Sequence, residues 1–304
     1  QHCEFAYRAA ALAHDVTMKA LYELTDRVGL REDGFHVLVF NPLDRPRTDV
    51  AAVMAVPFDP CDRPLRPRPG DPQDPENPGA ILMNYPVSNH GIPRIPAEIL
   101  RRGARLVDVE TGEEAPCETV VLDSPDTPEP YAGYRVNVER HDPGMVKEIR
   151  FLARDVPALG WRVYRLEAAD APPVPLEASA GHTLESPFYR LEMDPQTGAV
   201  RSLYDRELGK ELVDTASEDL LNQMILRSSI TGERIPNESP ALIRIQRTPL
   251  REVATVQTSA PGYPRVVQQV AMHRFIKRVD FATRVLQDAS AHIEPLIALP
   301  FAME

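Results

Sequence analysis

Short β-rich runs separated by turn residues are the feature that most constrains the fold of this 304-residue chain. Runs such as FHVLVF at 35–40 and WRVYRLEA at 161–168 are rich in branched and aromatic residues, and Asn-Pro or Gly lies beside them. Many similar runs follow, at the spacing typical of antiparallel sandwiches. We therefore predict a mainly β fold class, with the run TDVAAVMAV at 48–56 as the sheet neighbour of 35–40.

One long helix is predicted at the start of the chain. Its apolar residues recur at steps of three and four, which places them on one face, and Gly29 is a suitable residue to end it. The stripe consists of Phe5, Ala9, Leu12, Val16, Ala20, Leu24 and Val28. If nothing covers this face, we expect the chain to self-associate through it as a homo-oligomer.

Proline-rich segments divide the chain. Eleven prolines in the segment 57–98 exclude a helix and a central strand, so we predict a long surface excursion there. A second segment, 168–181, is rich in small residues and in proline, as expected for a linker between domains. We predict a helical connector at 1–32, a small β-sandwich at 33–170 and a large β-sandwich at 176–304.

A hairpin is predicted in the run RLEMDPQTGAV, which carries two neighbouring carboxylates. Glu192 and Asp194 lie two residues apart, on the strand face opposite Leu191 and Met193. We interpret their face as solvated and structural rather than as acid/base machinery. Asp194 and the glycine four residues later are expected to shape the turn.

Composition restricts the partners. The formal net charge of −11 argues against a nucleic acid or an anionic membrane, and a neutral ligand such as a sugar is compatible with it. No apolar run approaches the ~18 residues of a membrane span, and no signal peptide is visible. Three widely spaced cysteines do not form a disulfide framework. These features favour a cytoplasmic protein.

Catalytic and metal-binding motifs are not apparent. The eight histidines form neither HxH nor HExxH, and no GxSxG or GxGxxG is present, so we predict no catalytic and no metal residue in this chain. Trp161 and Tyr164 are expected on opposite faces of a strand, with Tyr164 in the core. Asn222 and Gln223 interrupt an apolar run, which indicates either a structural hydrogen-bond network or a carbohydrate contact.

Several stretches together resemble the C-terminal, non-catalytic half of the glycoside hydrolase family thirty-eight α-mannosidases. They occur in the family's order, and the N-terminal run QHCEFAYRAAALAHD is similar to the helical segment that follows the family's catalytic domain. The resembling stretches are HVLVFNPLDRPRTDVAAV at 36–53, DVPALGWRVYRL at 155–166, SPFYRLEMDPQTGAVRSLYDRELGKELVD at 186–214, NQ at 222–223, and KRVDFATRV followed by LIALPF within 277–301.

The resemblance implies a retaining α-mannosidase with zinc in its catalytic domain. The family's catalytic and zinc-binding residues belong to an N-terminal domain that this sequence lacks, so none is carried over to positions here. This chain is then expected to be inactive alone and to hold no cofactor. Its large domain is expected to be a galactose-mutarotase-like supersandwich, truncated at its C-terminus. The alternatives are a stand-alone carbohydrate-binding module and a structural β-sandwich module.

Overall fold

The computed structural model describes residues 2–29, 34–58, 94–96, 99, 102–121, 147–170, 179–236, 239–288 and 292–302. Another β-rich run, YRVNVER at 134–140, was also predicted as a strand. This run, most of the predicted excursion and the segment 171–178 lie outside the described residues. The domain boundaries drawn from the sequence therefore stay a prediction. As predicted, the described chain is mainly β, with one helix at its start.

The helix α1 spans His2–Arg27 and ends two residues before Gly29. Val28 continues the last turn, since its N–H donates to the carbonyl of Leu24 at 3.1 Å. Leu12 and Val16, on the predicted apolar stripe, keep about two thirds of their surface exposed. This helix lacks an apolar stretch long enough to span a bilayer. Self-association through the stripe stays a prediction.

Two four-stranded sheets form the N-terminal sandwich, a name we use for the described residues of 34–170. One sheet has the order β1-β8-β4-β5 and the other β3-β2-β7-β6. Their shared core contains Leu106 and Tyr164 from the first sheet and Ile149 and Phe151 from the second. The strands are β1 (Phe35–Phe40), β2 (Arg47–Phe58), β3 (Arg94–Pro96), β4 (Ala104–Asp108), β5 (Glu114–Ala115), β6 (Cys117–Val121), β7 (Lys147–Val156) and β8 (Trp161–Ala168).

Two sequence expectations are corrected in this sandwich. Strands β1 and β2 are not neighbours, because each pairs antiparallel with a later strand, β1 with β8 and β2 with β7. The end of the proline-rich segment is not wholly a surface excursion. Arg94–Pro96 forms the edge strand β3, parallel to β2, and Ile95 is buried in the core. An edge position suits Pro96, since a proline has no N–H to donate to a ladder.

The remaining described residues, 179–302, form the C-terminal β region. The sheet β12-β11-β10-β9 packs on the sheet β15-β16-β17-β18 around one core, and the sheet β14-β13-β19 encloses a smaller cluster with the ends of β16 and β17. Its strands are β9 (Thr183–Glu185), β10 (Tyr189–Met193), β11 (Val200–Asp205), β12 (Lys210–Glu211), β13 (Met224–Ser228), β14 (Arg234–Ile235), β15 (Leu242–Arg247), β16 (Arg251–Ala260), β17 (Tyr263–His273), β18 (Val279–Leu286) and β19 (Ile293–Ile297).

One five-residue turn recurs in four hairpins of the described chain. It begins with Asp or Ser, whose side-chain oxygen accepts the N–H groups two and three residues later at 2.9–3.3 Å. It ends with a glycine at φ of 65–73°, a conformation that costs a residue with a Cβ free energy. The turns are Asp108–Gly112, Asp194–Gly198, Asp205–Gly209 and Ser228–Gly232.

This turn corrects the expectation that Asp194 is solvated. Asp194 is only 9% exposed, because its carboxylate accepts the N–H groups of Gln196 and Thr197 and also contacts Arg201. Glu192 does remain half-exposed, in an ion pair with Arg190. Burial alone would raise the pKa of Asp194, but the hydrogen bonds from Thr197 and Gln196 outweigh it and hold that pKa below its usual range.

Gly198 and Gly112 provide a matched pair of substitutions. A Cβ on Gly198 would lie 2.3 Å from Val256 Cγ1, whereas a Cβ on Gly112 meets nothing within 4 Å. Both glycines have φ near 72°, so alanine at either site costs about 1–2 kcal/mol of unfolding free energy. We expect Gly198→Ala to lose about 1–3 kcal/mol more, through overpacking, in urea denaturation. Equal losses at the two sites would contradict the clash.

The depressed pKa of Asp194 predicts a pH-dependent contribution to stability. Because its folded pKa lies below the unfolded value of about 3.9, the carboxylate stabilises the fold above about pH 4. That contribution is lost as the pH falls through the folded pKa. Asp194→Asn should therefore unfold more easily than the wild type at neutral pH, and the difference in unfolding free energy should shrink in acid. A difference that does not change with pH would oppose this assignment.

Candidate functional site

A cleft of about 370 Å³ lies between the N-terminal sandwich and the C-terminal β region. Its walls carry six charged side chains and one histidine, His273. The charged side chains are Glu118, Glu148, Arg150, Arg251, Arg278 and Asp280. We call this group of seven residues the charged cleft.

The N-terminal sandwich contributes one row of cross-strand neighbours. Ala52 of β2, Arg150 of β7 and Glu118 of β6 lie directly opposite one another in the sheet. Strand alternation points Ile149 and Phe151 into the sandwich core and Glu148 and Arg150 to the other face. That second face would meet water in an isolated sandwich. Here Arg150 is only 9% exposed, so the C-terminal β region covers it.

The C-terminal β region contributes a facing pair. Arg251 at the start of β16 lies opposite His273 at the end of β17, and both are buried. Thr248 fixes the turn that precedes Arg251, since its hydroxyl accepts the N–H groups of Leu250 and Arg251 at 3.2 and 3.0 Å. The turn therefore holds the Arg251 guanidinium against the N-terminal sandwich.

A buried ion pair joins the two parts. Arg251 Nε donates to Glu118 Oε1 at 2.8 Å, and the two side chains are 8% and 3% exposed. Arg150 Nη1 lies 3.9 Å from the same oxygen, and Arg150 Nε also contacts Glu148. Removing charges from water is costly, so such a pair is stable only when both partners are present and well oriented.

A second group of charges lies at the outer end of the cleft. His273 Nε2 lies 2.7 Å from Asp280 Oδ2, and Arg278 Nε lies 3.0 Å from Asp280 Oδ1. Arg278 also reaches across to β2, where its Nη1 donates to Asp49 Oδ1 at 3.1 Å. Asp280 and Arg278 keep 44% and 41% of their side chains exposed, which places them at the mouth of the cleft.

Burial and charge shift several pKa values in the cleft. Burial raises the pKa of Glu148, and the Glu118 carboxylate adds to this while Arg251 opposes it. Burial, with a contribution from Arg251, lowers the pKa of Arg150 to about 10, so its guanidinium remains protonated at neutral pH. Asp280 has a pKa below its usual range, because the contacts with His273 and Arg278 outweigh its partial burial.

Three buried side-chain atoms of the cleft have no hydrogen-bond partner among the described residues. They are Glu118 Oε2, His273 Nδ1 and Arg278 Nε, and the Glu118 and His273 side chains are 3% exposed. Such atoms are uncommon in folded proteins, since an unpaired buried polar atom costs about 1–3 kcal/mol.

The two amides singled out in the sequence, Asn222 and Gln223, do not reach the charged cleft. Gln223 Oε1 accepts the N–H of Leu220 at 2.8 Å and closes a local turn. Asn222 is buried at φ 63°, and its carbonyl accepts Gln268 Nε2 at 2.8 Å. These contacts are structural, and a carbohydrate contact at these residues stays a prediction.

The other residues considered in the sequence also have structural positions. Trp161 is 44% exposed while Tyr164 is buried in the core, as the strand alternation predicted. Two acids within the run 186–214 are bound by Lys277, whose Nζ lies 2.9 Å from Asp205 Oδ2 and 2.7 Å from Glu207 Oε2. Within the described part of the chain, no three His, Cys, Asp or Glu residues come together in a group able to hold a metal ion.

Two solved structures are similar to this chain in fold. A protein in the glycosyl hydrolase family 38 from Enterococcus faecalis superimposes with a TM-score of 0.54 at 12% identity, over 95% of this chain and 36% of its own. An alpha-mannosidase from Enterococcus faecalis V583 superimposes with a TM-score of 0.53 at 12% identity, over 95% of this chain and 34% of its own. The chain shares the fold of about a third of each protein. The sequence matches no family model and no curated protein.

The buried ion pair predicts a large loss of stability when one partner is removed. Arg251→Met leaves Glu118 buried without its 2.8 Å donor, so we expect a loss of about 3–5 kcal/mol in the free energy of unfolding. Arg206→Met is a matched control, because Arg206 pairs with Glu185 at a similar 2.9 Å but at the surface. The control should lose at most about 1 kcal/mol. Similar losses in urea denaturation would argue against the buried pair.

Proposed function

We propose that this chain is the non-catalytic β portion of a glycoside hydrolase family thirty-eight α-mannosidase and supports that enzyme's catalytic domain. The observation that carries the proposal is the fold similarity over 95% of the chain to two proteins of this class. The ordered sequence stretches that resemble the family support it independently of the fold. In this proposal the substrate is an α-mannoside, and zinc and the retaining carboxylates belong to the catalytic domain.

The chemistry of the described residues fits a supporting role. A retaining glycosidase needs one carboxyl group to transfer a proton and a second one to attack, across a site open to the sugar. In the charged cleft, Glu118 and Glu148 are both in contact with guanidinium groups, and Glu118 is almost fully buried. No group of ligands for a metal is present in the described part of the chain, so no step of zinc chemistry is assigned to these residues.

The supporting role is to fix the orientation of the two β regions. Contacts cross from one to the other at Glu118 with Arg251, at Asp49 with Arg278, and at Arg154, whose guanidinium lies 5.6 Å from the centre of the Phe275 ring. A rigid pair of β regions can present a constant surface to a catalytic domain. A stand-alone carbohydrate-binding module is the alternative function.

The proposal predicts that the purified chain does not hydrolyse 4-nitrophenyl α-mannoside, with or without added zinc. The same chain, expressed together with the polypeptide encoded in frame upstream of Gln1, should hydrolyse it. Arg251→Met in that longer protein should lower both the melting temperature and the amount of active enzyme, whereas Arg206→Met should not. Hydrolysis by the chain alone, or an upstream frame that encodes no glycosidase domain, would overturn the proposal.

A further inference from the structure

We propose that the outer edge of β18 is a docking site for a second copy of this chain, whose own β18 pairs with it in the antiparallel direction. This inference goes beyond the proposed function and does not depend on it. Strand β18 is the last of the sheet β15-β16-β17-β18, so one of its edges has no neighbour among the described strands. An unpaired strand edge is a template for the addition of another strand.

The backbone hydrogen bonds show which residues of β18 point away from the sheet. The N–H of His273 donates to the carbonyl of Arg278 at 3.2 Å, and Arg278 comes directly before β18. Because the hydrogen-bonding direction alternates along an antiparallel strand, the residues at even positions bind β17. The N–H and C=O groups of Phe281, Thr283 and Val285 therefore point outward, and no strand in the described part of the chain pairs with them.

The exposure of β18 also indicates that the sheet is uncovered on this side. A strand with one face on a core alternates between buried and exposed residues. The first four residues of β18 are half-buried, but the last four, 283–286, are all exposed. Val285 lies opposite the fully buried Val266, yet it is 42% exposed. A further strand beside β18 would extend the sheet and cover Val285.

Two other edge strands of the C-terminal β region are protected, which distinguishes β18 from them. At β15, the outward N–H and C=O groups of Ile245 exchange hydrogen bonds of 2.9 Å with Ser179. At β19, the N–H of Ala298 donates to Gln223, so the residues at even positions face β13. Pro295 then points outward, where it has no N–H to offer to another strand. The strand β18 contains no proline.

The sequence of β18 favours a second copy of itself as the occupant. We place the two-fold axis of an antiparallel pair at Ala282, which brings outward residues of the two copies together. Phe281 then pairs with Thr283 of the second copy. Val279 pairs with Val285 of the second copy. Both pairs join β-branched or aromatic side chains, which are the pairs that stabilise neighbouring strands.

Charge complementarity selects this register. With the axis at Ala282, Asp280 lies opposite Arg284 of the second copy, and symmetry repeats this pair of opposite charges. An axis at Phe281 would instead set Arg278 opposite Arg284. An axis at Arg284 would bring the two copies of that arginine together, and an axis at position 283 would form neither pair of opposite charges.

The first test measures the mass of the purified chain by sedimentation equilibrium over a range of concentrations. We expect the average mass to rise from that of one chain toward that of two. Arg284→Glu sets a carboxylate opposite Asp280 at two places in the dimer, so it should weaken dimerisation about tenfold or more. Arg244→Glu is the matched control, because Arg244 is also an exposed arginine on an edge strand of this sheet. The control should leave dimerisation unchanged.

A second test determines the register. Residues that face each other in a non-hydrogen-bonded antiparallel pair have Cα atoms about 4.5 Å apart, a separation that a disulfide can span. Ala282→Cys should therefore form a covalent dimer when the chain is oxidised with diamide and analysed on a non-reducing gel. Thr283→Cys should form much less, because its partner in this register is Phe281. The wild-type chain, with its three cysteines, gives the background.

Four results would overturn the inference. They are a wild-type chain that is monomeric at every concentration, a dimer that Arg284→Glu leaves intact, equal cross-linking of the two cysteine variants, and a dimer that only Leu12→Ser dissociates. The last result would place the interface on α1, where Leu12 is exposed. Thermal melts show whether each variant is folded, and if Arg284→Glu is unfolded, the wild-type mass and the cross-linking decide. Absence of α-mannosidase activity affects none of these results, so the two proposals can fail separately.

Discussion

The buried ion pair between Glu118 and Arg251 is the interaction on which the arrangement of the two β regions depends. Each charge has left water, and the 2.8 Å contact between the two groups compensates them directly. The pair forms only if β6 and the start of β16 approach in one relative position. The ion pair thus fixes the orientation of the two β regions relative to each other. It also helps to bury the outer face of the N-terminal sandwich.

The local parts of the fold follow directly from the sequence. The helix, most strands and the turn at Asp194–Gly198 were predicted, because each depends on residues within a few positions of one another. The same five-residue pattern, an Asp or Ser followed four residues later by Gly, also occurs in the other three hairpins. In this turn the burial of the Asp side chain is a consequence of its hydrogen bonds, which strand alternation alone does not reveal.

The charged cleft could not be predicted, since its residues come from strands distant in sequence. Glu118 and Arg251 are 133 positions apart, and the alternation around Glu148 and Arg150 is typical of a strand with one solvated face. The predicted pairing of β1 with β2 was wrong for the same reason, because each of these strands pairs with one that is distant in sequence. Asn222 and Gln223 were noticed in the sequence because they interrupt an apolar run. In the structure, Gln223 closes a local turn and the Asn222 carbonyl accepts a hydrogen bond from Gln268.

The charged interface fixes the relative position of the two β regions, which a supporting role for a catalytic domain requires. The most direct test is the coupling energy between Glu118 and Arg251 from a double-mutant cycle of Glu118→Gln, Arg251→Met and the double variant. The account predicts that the double variant is more stable than the sum of the single losses implies, with a coupling of about 0.5–3 kcal/mol. Additive losses would show that the two side chains do not interact and would contradict the interface described above.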